Sequence, residues 1–302
     1  MELRKLRRIN RIIADSHRRD KTLDKSCARH ELRVVFMNRI NLFAFLLLLT
    51  ACSKTAKNVT TEGTDSERQV TVAETDSDLT VSVDSVTFKM IRVEGGTFQM
   101  GSMDGANNEK PVHEVTLSSF SIGETEVTQE LWEVVMGDNP SFFKGSKRPV
   151  EEVSWDDCQT FIARLNELTG KMFRLPTEAE WEFAARGGNQ SKGYTYSGSN
   201  TIRDVAWFGD TSESGTHNVA MNFPNELGIY DMSGNVYEWC QDWYGSYGSR
   251  SQTNPTGPSS GSERVERGGC WDFIEECCRV ASRDSRHSPT LAYRNLGFRL
   301  AL

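Results

Sequence analysis

The feature that most constrains the fold is the contrast between three short, clearly bounded helices and the long segment that follows them. Each helix has a polar capping residue at its start and a glycine at its end, in the stretches TQELWEVVMG (128–137), SWDDCQTFIARLNELTG (154–170) and PTEAEWEFAARGG (176–188). After residue 190 the chain is rich in Gly, Ser, Asn and Trp, with short strand patterns only. Long irregular segments in a compact domain usually carry function or bound ions. The sequence therefore predicts an α+β fold with low regular secondary structure, built from few short helices and strands.

The N-terminal part of the chain is a separate segment with the pattern of an export signal. Residues 1–36 are basic, and an apolar run from Leu42 to Leu49 follows a short charged start. That run is too short to cross a bilayer as a helix, but it fits the apolar region of a signal peptide. The stretch LTAC ending at Cys52 resembles a bacterial lipobox. We therefore expect residues 1–51 to be removed, with Met37 as the start of translation and Cys52 as the lipidated residue.

The expected mature chain is strongly acidic. Removing residues 1–51 takes away twelve Lys and Arg and five Asp and Glu, which leaves a formal net charge of about −14. Such a charge argues against nucleic acid and against anionic lipid headgroups as partners. Residues 52–84 are rich in Ser, Thr, Asp and Glu and are predicted to be a solvated tether, with strand character in LTVSVDSVTF (79–88) as the alternative. The folded domain is predicted to span residues 85–302, in an oxidising compartment where disulfides persist.

Eight stretches of this predicted domain resemble the formylglycine-generating enzyme, or sulfatase-modifying factor, domain family. They are GGTFQMGS (95–102), ETEVTQELW (124–132), PVEEVSWDDC (149–158), RLPTEAEWEFAARGG (174–188), NELGIYDMSGNVYEWCQDWYG (225–245), RVERGGCW (264–271), CRVASR (278–283) and NLGFRLA (295–301). The resemblance implies the fold of that family, which is related to C-type lectin-like domains.

The resemblance also implies a calcium site in the stretch DMSGNVYEW. Its ligands would be the side chains of Asp231 and Glu238 and the backbone carbonyls of Gly234 and Val236. Calcium takes six to eight hard oxygen ligands, and a Gly-containing turn can supply carbonyl oxygens. The alternative is that Asp231 and Asn235 only form turns and that Glu238 is solvated.

Three cysteines near the end of the chain raise the question of a copper site. Catalytic relatives oxidise a cysteine of sulfatases with O2 and copper, held by a Cys-x4-Cys pair after the Gly-Gly of this motif, and thiolates are suitable ligands for Cu(I). Here the two positions are Phe273 and Cys278, so the first cysteine is lost. Cys270 stands where the family has an active-site serine, and Cys270 with Cys278 is the candidate catalytic pair.

A structural role for the cysteines is the alternative. Comparison with family members that lack the first catalytic cysteine suggests a disulfide between Cys240 and Cys278. Cys158 lies on the apolar face of its predicted helix and is expected to be a small buried hydrophobe. Arg283, Asn295 and Arg299 are expected to join the last strand to the core.

Together these observations predict a bacterial lipoprotein of the cell envelope, anchored outside the cytoplasm, most simply to the outer membrane. Its domain would act as a binding or assembly component without the two-cysteine copper oxidase site. The partner would be an exported protein, a peptide or a glycan. The first alternative is an oxidase that converts a sulfatase cysteine to formylglycine, and the second is another oxidative modification, as in relatives that mature siderophores.

Overall fold

The computed structural model describes residues 68–74, 78–285 and 287–302. The predicted signal peptide, the start at Met37, the lipidated Cys52 and most of the tether lie outside the described residues. Among the described residues, no helix has the length and apolar character needed to cross a membrane.

All three predicted helices are present, with the predicted ends. They are α1 (Gln129–Met136), α2 (Trp155–Thr169) and α3 (Glu178–Ala185). Ser154 and Thr177 each accept a hydrogen bond from the backbone N–H three residues later, in complete capping boxes. Gly137 ends α1 and Gly170 ends α2 in left-handed conformations that few other residues adopt. The local capping rules are sufficient to fix the helix ends.

In the part of the chain that the structure describes, eleven short strands form three small sheets. The strands are β1 (Val70–Glu74), β2 (Asp78–Val83), β3 (Val86–Val93), β4 (Gly96–Met100), β5 (His113–Leu117), β6 (Phe120–Gly123), β7 (Tyr237–Trp243), β8 (Gln252–Thr253), β9 (Arg264–Arg267), β10 (Arg283–Asp284) and β11 (Leu296–Gly297). Their orders are β1-β2-β3-β6, β10-β9-β7-β11 and β4-β5-β8. Most described residues after 187 lie outside strands and helices, which confirms the predicted α+β fold with low regular secondary structure.

The first sheet begins upstream of the boundary predicted at residue 85. β2 pairs with β3 in an antiparallel register that runs from Asp78 opposite Ile91 to Val83 opposite Val86. Along β2 every second side chain is buried, so this strand contributes to the core although its other face is polar. The tether prediction for residues 52–84 therefore does not hold for β1 and β2. The strand alternative for LTVSVDSVTF (79–88) is the one present, as β2 and the start of β3.

The central helix of the core is α3, in which every residue is buried. Trp181 and Phe183 pack in the main hydrophobic cluster together with side chains from the second and third sheets. A helix buried on all sides must also bury its polar residues, and Glu178 and Glu182 are paired with arginines of later strands. α3 thus links its own segment to β9 and β10, which flank the cysteine segment.

Candidate functional site

The cysteine segment runs from the end of β9 through two glycines to a short 3-10 helix, Glu275–Cys278. Gly268 and Gly269 have φ of 98° and 72°, in the region that favours glycine. A Cβ on Gly269 would lie 2.6 Å from Cys278 Sγ, so a side chain there would displace the sulfur. The glycine pair therefore allows the Cys278 side chain to pack directly against the backbone.

Phe273 fills the position where catalytic relatives have their first cysteine. Its side chain is 2% exposed and meets the ring of Tyr237 edge-on, with centroids 5.4 Å apart and planes at 86°. The backbone carbonyl of Phe273 accepts a hydrogen bond of 2.8 Å from Gly209 N–H. The aromatic ring is thus a fixed part of the core, and no sulfur ligand can stand at this position.

Cys270 is held as a thiol beside a carboxylate. Its side chain is buried, and its Sγ donates a hydrogen bond of 3.1 Å to Asp272 Oδ1. Asn295 Nδ2 donates to the same oxygen at 3.2 Å. Burial raises the pKa of the Cys270 thiol well above its ordinary value, and the Asp272 charge raises it further. A thiol with a raised pKa is a poor nucleophile and a poor metal ligand at neutral pH.

Asp272 is a residue of this segment that sequence reasoning did not single out. Its Oδ2 is buried and has no hydrogen-bond partner in the described part of the chain. The only sequence signal is an acidic residue two positions after Cys270 in an otherwise apolar stretch, which by itself indicates neither a site nor a turn.

Cys278 is buried in a second, smaller hydrophobic cluster. Its cluster neighbours are Tyr196, Ile202, Val205, Ala206 and Phe208. Its backbone carbonyl accepts a hydrogen bond of 2.8 Å from Ser233 Oγ. With Cys270 protonated beside Asp272 and Phe273 in the first position, the residues present do not fit a two-thiolate copper ion.

The predicted disulfide between Cys240 and Cys278 is not formed in the structure. Cys240 lies on β7 and packs in the main hydrophobic cluster, whereas Cys278 packs in the second one. The five described cysteines form no disulfide. Cys158 is buried on α2, which confirms its predicted role as a small hydrophobe.

The predicted calcium ligands lie around a tight loop before β7. Asp231, Gly234 and Asn235 all have positive φ, and Asp231 Oδ2 accepts a hydrogen bond of 2.7 Å from Ala220 N–H. The turn-forming role considered for Asp231 and Asn235 is therefore present. The Asn235 side chain also donates to Glu126 Oε2 at 3.1 Å, so this residue anchors the loop to the buried interior.

Both carboxylate oxygens of Glu238 are bound by protein donors. Arg299 Nε contacts Oε2 and Arg299 Nη2 contacts Oε1, each at 2.6 Å, and Trp181 Nε1 donates to Oε2 at 2.7 Å. Glu238 and Arg299 are completely buried. A guanidinium group in this position would repel a cation, so the residues as placed do not fit calcium. The solvated Glu238 considered from the sequence is also not what the structure has.

The Arg299 guanidinium lies among three buried carboxylates, those of Glu126, Asp231 and Glu238. Burial raises the pKa of Glu126 well above its ordinary value, and the charges of Asp231 and Glu238 add to this effect. Burial likewise raises the pKa of Asp231, to about 6. Among the described residues, no three or more His, Cys, Asp or Glu side chains are arranged to hold a metal ion. Calcium stays a prediction of the family resemblance, and the contact of Arg299 with Glu238 argues against it.

A second charged cluster surrounds α3. Arg283 makes two contacts to the Glu178 carboxylate, at 2.6 and 2.7 Å, and Arg267 pairs with Glu182. Burial alone would raise the pKa of Glu182, but Arg267 and Arg186 bring it below its ordinary value. The role expected of Arg283 and Arg299 in joining the last strands to the core is confirmed by these contacts. Their acidic partners could not be inferred, because neither sequence spacing nor periodicity connects them.

Comparisons with known proteins identify the family of this chain. Residues 80–302 match the model of the sulfatase-modifying factor enzyme 1-like domain. The chain is 37% identical over 237 residues to the chaperone protein LppX of Paenibacillus barcinonensis, covering 62% of this chain and 80% of the relative. It is 32% identical over 283 residues to the formylglycine-generating enzyme of Streptomyces coelicolor, covering 70% of this chain and 88% of the enzyme.

A solved structure has the same fold. Treponema denticola variable protein 1 superposes with a TM-score of 0.70 at 38% sequence identity, covering 75% of this chain and 99% of that protein. The matched region contains the three helices, the cysteine segment and the loop before β7. The chain therefore belongs to the family of sulfatase-modifying factor enzyme 1-like domains.

Proposed function

We propose that this chain is a binding or assembly component of the cell envelope that lacks the copper oxidase chemistry of catalytic family members. One observation carries the proposal: the buried Phe273 ring stands in place of the first cysteine and packs against Tyr237. The high pKa of the buried Cys270 thiol supports it, because Cys270 was the residue that could have replaced the missing ligand.

The relative named as a chaperone supports an assembly role. Its name describes a protein that assists others, and the match covers four-fifths of its length. In this proposal the chain is lipid-anchored through Cys52 to the outer membrane and faces the periplasm. Its ligand would be an exported protein, a peptide or a glycan. The acidity of the mature chain is the reason for leaving nucleic acid out.

A formylglycine-generating oxidase is the second candidate. It is favoured by 32% identity to the Streptomyces enzyme along most of that enzyme's length, and by Cys278 at the second catalytic position. Oxidation of a peptide cysteine would require a metal-bound thiolate. The buried cysteine segment would have to open before such a thiolate could form.

Two measurements separate these functions. The purified protein is incubated with Cu(I), O2 and a peptide containing Cys-x-Pro-x-Arg, and peptide mass and bound copper are followed. We expect no conversion and no stoichiometric copper, both for the wild type and for Cys278→Ser. Turnover by the wild type that Cys278→Ser abolishes would reverse the assignment.

The binding role has its own test. Reduced, unfolded lysozyme aggregates on dilution, and light scattering reports the extent. We expect an equimolar amount of this protein to suppress the scattering, and Phe273→Leu to do the same because the ring lies inside the core. Scattering equal to that with an inert protein of similar charge would contradict an assembly role.

A further inference from the structure

A cavity of about 180 Å³ lies beside the start of α3, away from the cysteine segment. Its walls come from the first residues of α3, the end of β7 and the loop that follows β7 as far as residue 258. The apolar part of the wall includes Met100, Trp243, Pro255 and Pro258. For comparison, a dry cavity of about 150 Å³ is enough to bind benzene. The space thus fits an organic ligand of about four to six non-hydrogen atoms.

Most charged groups in this wall already have partners. Arg283 contacts both oxygens of Glu178 and also donates to the backbone carbonyls of Asn108 and Gly245. The Tyr247 hydroxyl donates to Glu178 Oε1 at 3.0 Å. The ion pair is therefore satisfied internally and contributes no net charge to the cavity.

Asp242 is the exception. Its side chain is 4% exposed, and Oδ2 accepts a hydrogen bond of 3.0 Å from Glu178 N–H. Oδ1 has no hydrogen bond from any described residue. Gly257 faces this oxygen from the loop: a Cβ there would lie 3.0 Å from Oδ1. Oδ1 is not fully buried and remains accessible from the cavity, so a ligand in the cavity can supply its hydrogen-bond donor.

The charge around this oxygen defines what the donor must be. With Glu178 neutralised by Arg283, the wall carries one uncompensated negative charge when Asp242 is ionised. Burial raises the pKa of Asp242 to about 7, and Glu178, which Arg283 compensates only in part at this distance, adds to the effect, so an ionised Asp242 without a cation beside it is costly. A cation with several donors would remove that cost. Calcium would find only one available carboxylate here, whereas an ammonium group on an alkyl chain fits both the carboxylate and the apolar wall.

We propose that this cavity is a binding site for a primary alkylammonium group, which donates to Asp242 Oδ1 while its alkyl chain lies against Trp243 and the two prolines. The ammonium comes from a free amine or from a lysine side chain of a partner protein. The site does not depend on the proposed binding function, since it uses none of the residues of the cysteine segment.

The test is calorimetric titration of the wild-type protein with butylammonium chloride at pH 8, with butanol as the uncharged ligand of similar shape. We expect saturable binding of butylammonium and none of butanol. Asp242→Asn keeps an oxygen acceptor for Glu178 N–H but removes the charge, and should weaken binding at least tenfold. Asp210→Asn removes an exposed acidic charge and is the matched control, with binding unchanged.

The source of the ammonium is distinguished by a second ligand, Nα-acetyl-lysine amide. If it competes with butylammonium, the site accepts a lysine side chain; if only butylammonium binds, the site takes free amines. Absence of saturation by either ligand on the wild type would overturn the proposal without reference to any variant. Equal binding by butanol, or by folded Asp242→Asn, would overturn it as well. Circular dichroism confirms that each variant is folded.

Discussion

Substitution of Arg299 by methionine should destabilise the protein far more than substitution of its partner Glu238 by glutamine. Both side chains are fully buried, and two contacts of 2.6 Å join them. Removing one member of a buried ion pair typically costs about 3–5 kcal/mol, because the other charge is left without compensation. Arg299→Met should reach this range, because it leaves the three buried carboxylates of Glu126, Asp231 and Glu238 without a cation.

Glu238→Gln leaves the remaining buried charges better compensated than Arg299→Met does. Arg299 still donates to the carbonyls of Gly123 and Tyr230 at 3.0 Å, and Glu126 and Asp231 still attract it. The glutamine oxygen can accept one of the former hydrogen bonds. We therefore expect a loss of about 1–3 kcal/mol, the range for a disturbed buried hydrogen bond. The double variant should lose less than the sum of the single variants, because both charges leave together.

Urea unfolding at pH 7.5, followed by tryptophan fluorescence, measures these differences if the m-value stays constant. Lys147→Met is the control: Lys147 pairs with Glu130 at the surface and is 60% exposed, so its loss should cost less than about 1 kcal/mol. A cost below about 1 kcal/mol for Arg299→Met, or a larger cost for Glu238→Gln than for Arg299→Met, would refute this account of the carboxylate cluster.

Further outcomes follow from the same contacts. Phe273→Ala should cost about 3–5 kcal/mol in urea unfolding, since it leaves a cavity beside Tyr237; a cost near zero would mean that the ring is not part of the core. The pKa of Asp242 is about 7 in the folded protein but near 4 in the unfolded chain. Between these pH values the folded protein binds more protons than the unfolded chain, so its stability falls as pH rises from about 4 to about 7. Asp242→Asn should remove this fall and be the more stable protein at pH 8; parallel pH profiles would contradict it. Since Arg299 already pairs with the Glu238 carboxylate, adding a calcium chelator should leave the melting temperature of the protein unchanged. A drop of several degrees would instead show that the protein binds calcium.

The pH prediction depends on the charges that surround Asp242. They come from several elements and comprise Glu178 and Glu180 of α3, Arg264 of β9, Arg283 of β10, His113 of β5 and Tyr247 of the loop after β7. Burial is the largest cause of the raised pKa of Asp242. The charges of Glu178 and Glu180 raise this pKa further, and Arg283 lowers it. Variants at any of these positions would shift the window as well, so the comparison is made at Asp242 alone.

Local signals in the sequence predicted the helices well, because each capping pair lies within four residues. The Ser154–Asp157 and Thr177–Glu180 boxes need no information from the rest of the chain. By contrast, β2 was taken for tether because its polar face is dense in Ser, Thr and Asp. Its alternation becomes significant only once β3 is beside it.

The sequence predicted which positions belong to the candidate site, but not which residues their side chains contact. Comparison with the family motif identified Phe273 as the departure from the catalytic pattern. The structure adds that the Phe273 ring packs against Tyr237 in the core. The pairing of Cys240 with Cys278 failed because sequence distance does not show which cluster a side chain faces. Likewise, the partner of Glu238 lies 61 residues further along the chain, beyond any local rule.

The absence of disulfides among the described cysteines has a consequence for how this domain can be made. All five thiols are buried, and the fold between them is held by apolar packing and ion pairs. Its stability therefore does not depend on the redox potential of its surroundings, and no oxidant or disulfide isomerase is needed to reach it. The same fold should therefore form under reducing and under oxidising conditions, with no change in its covalent structure.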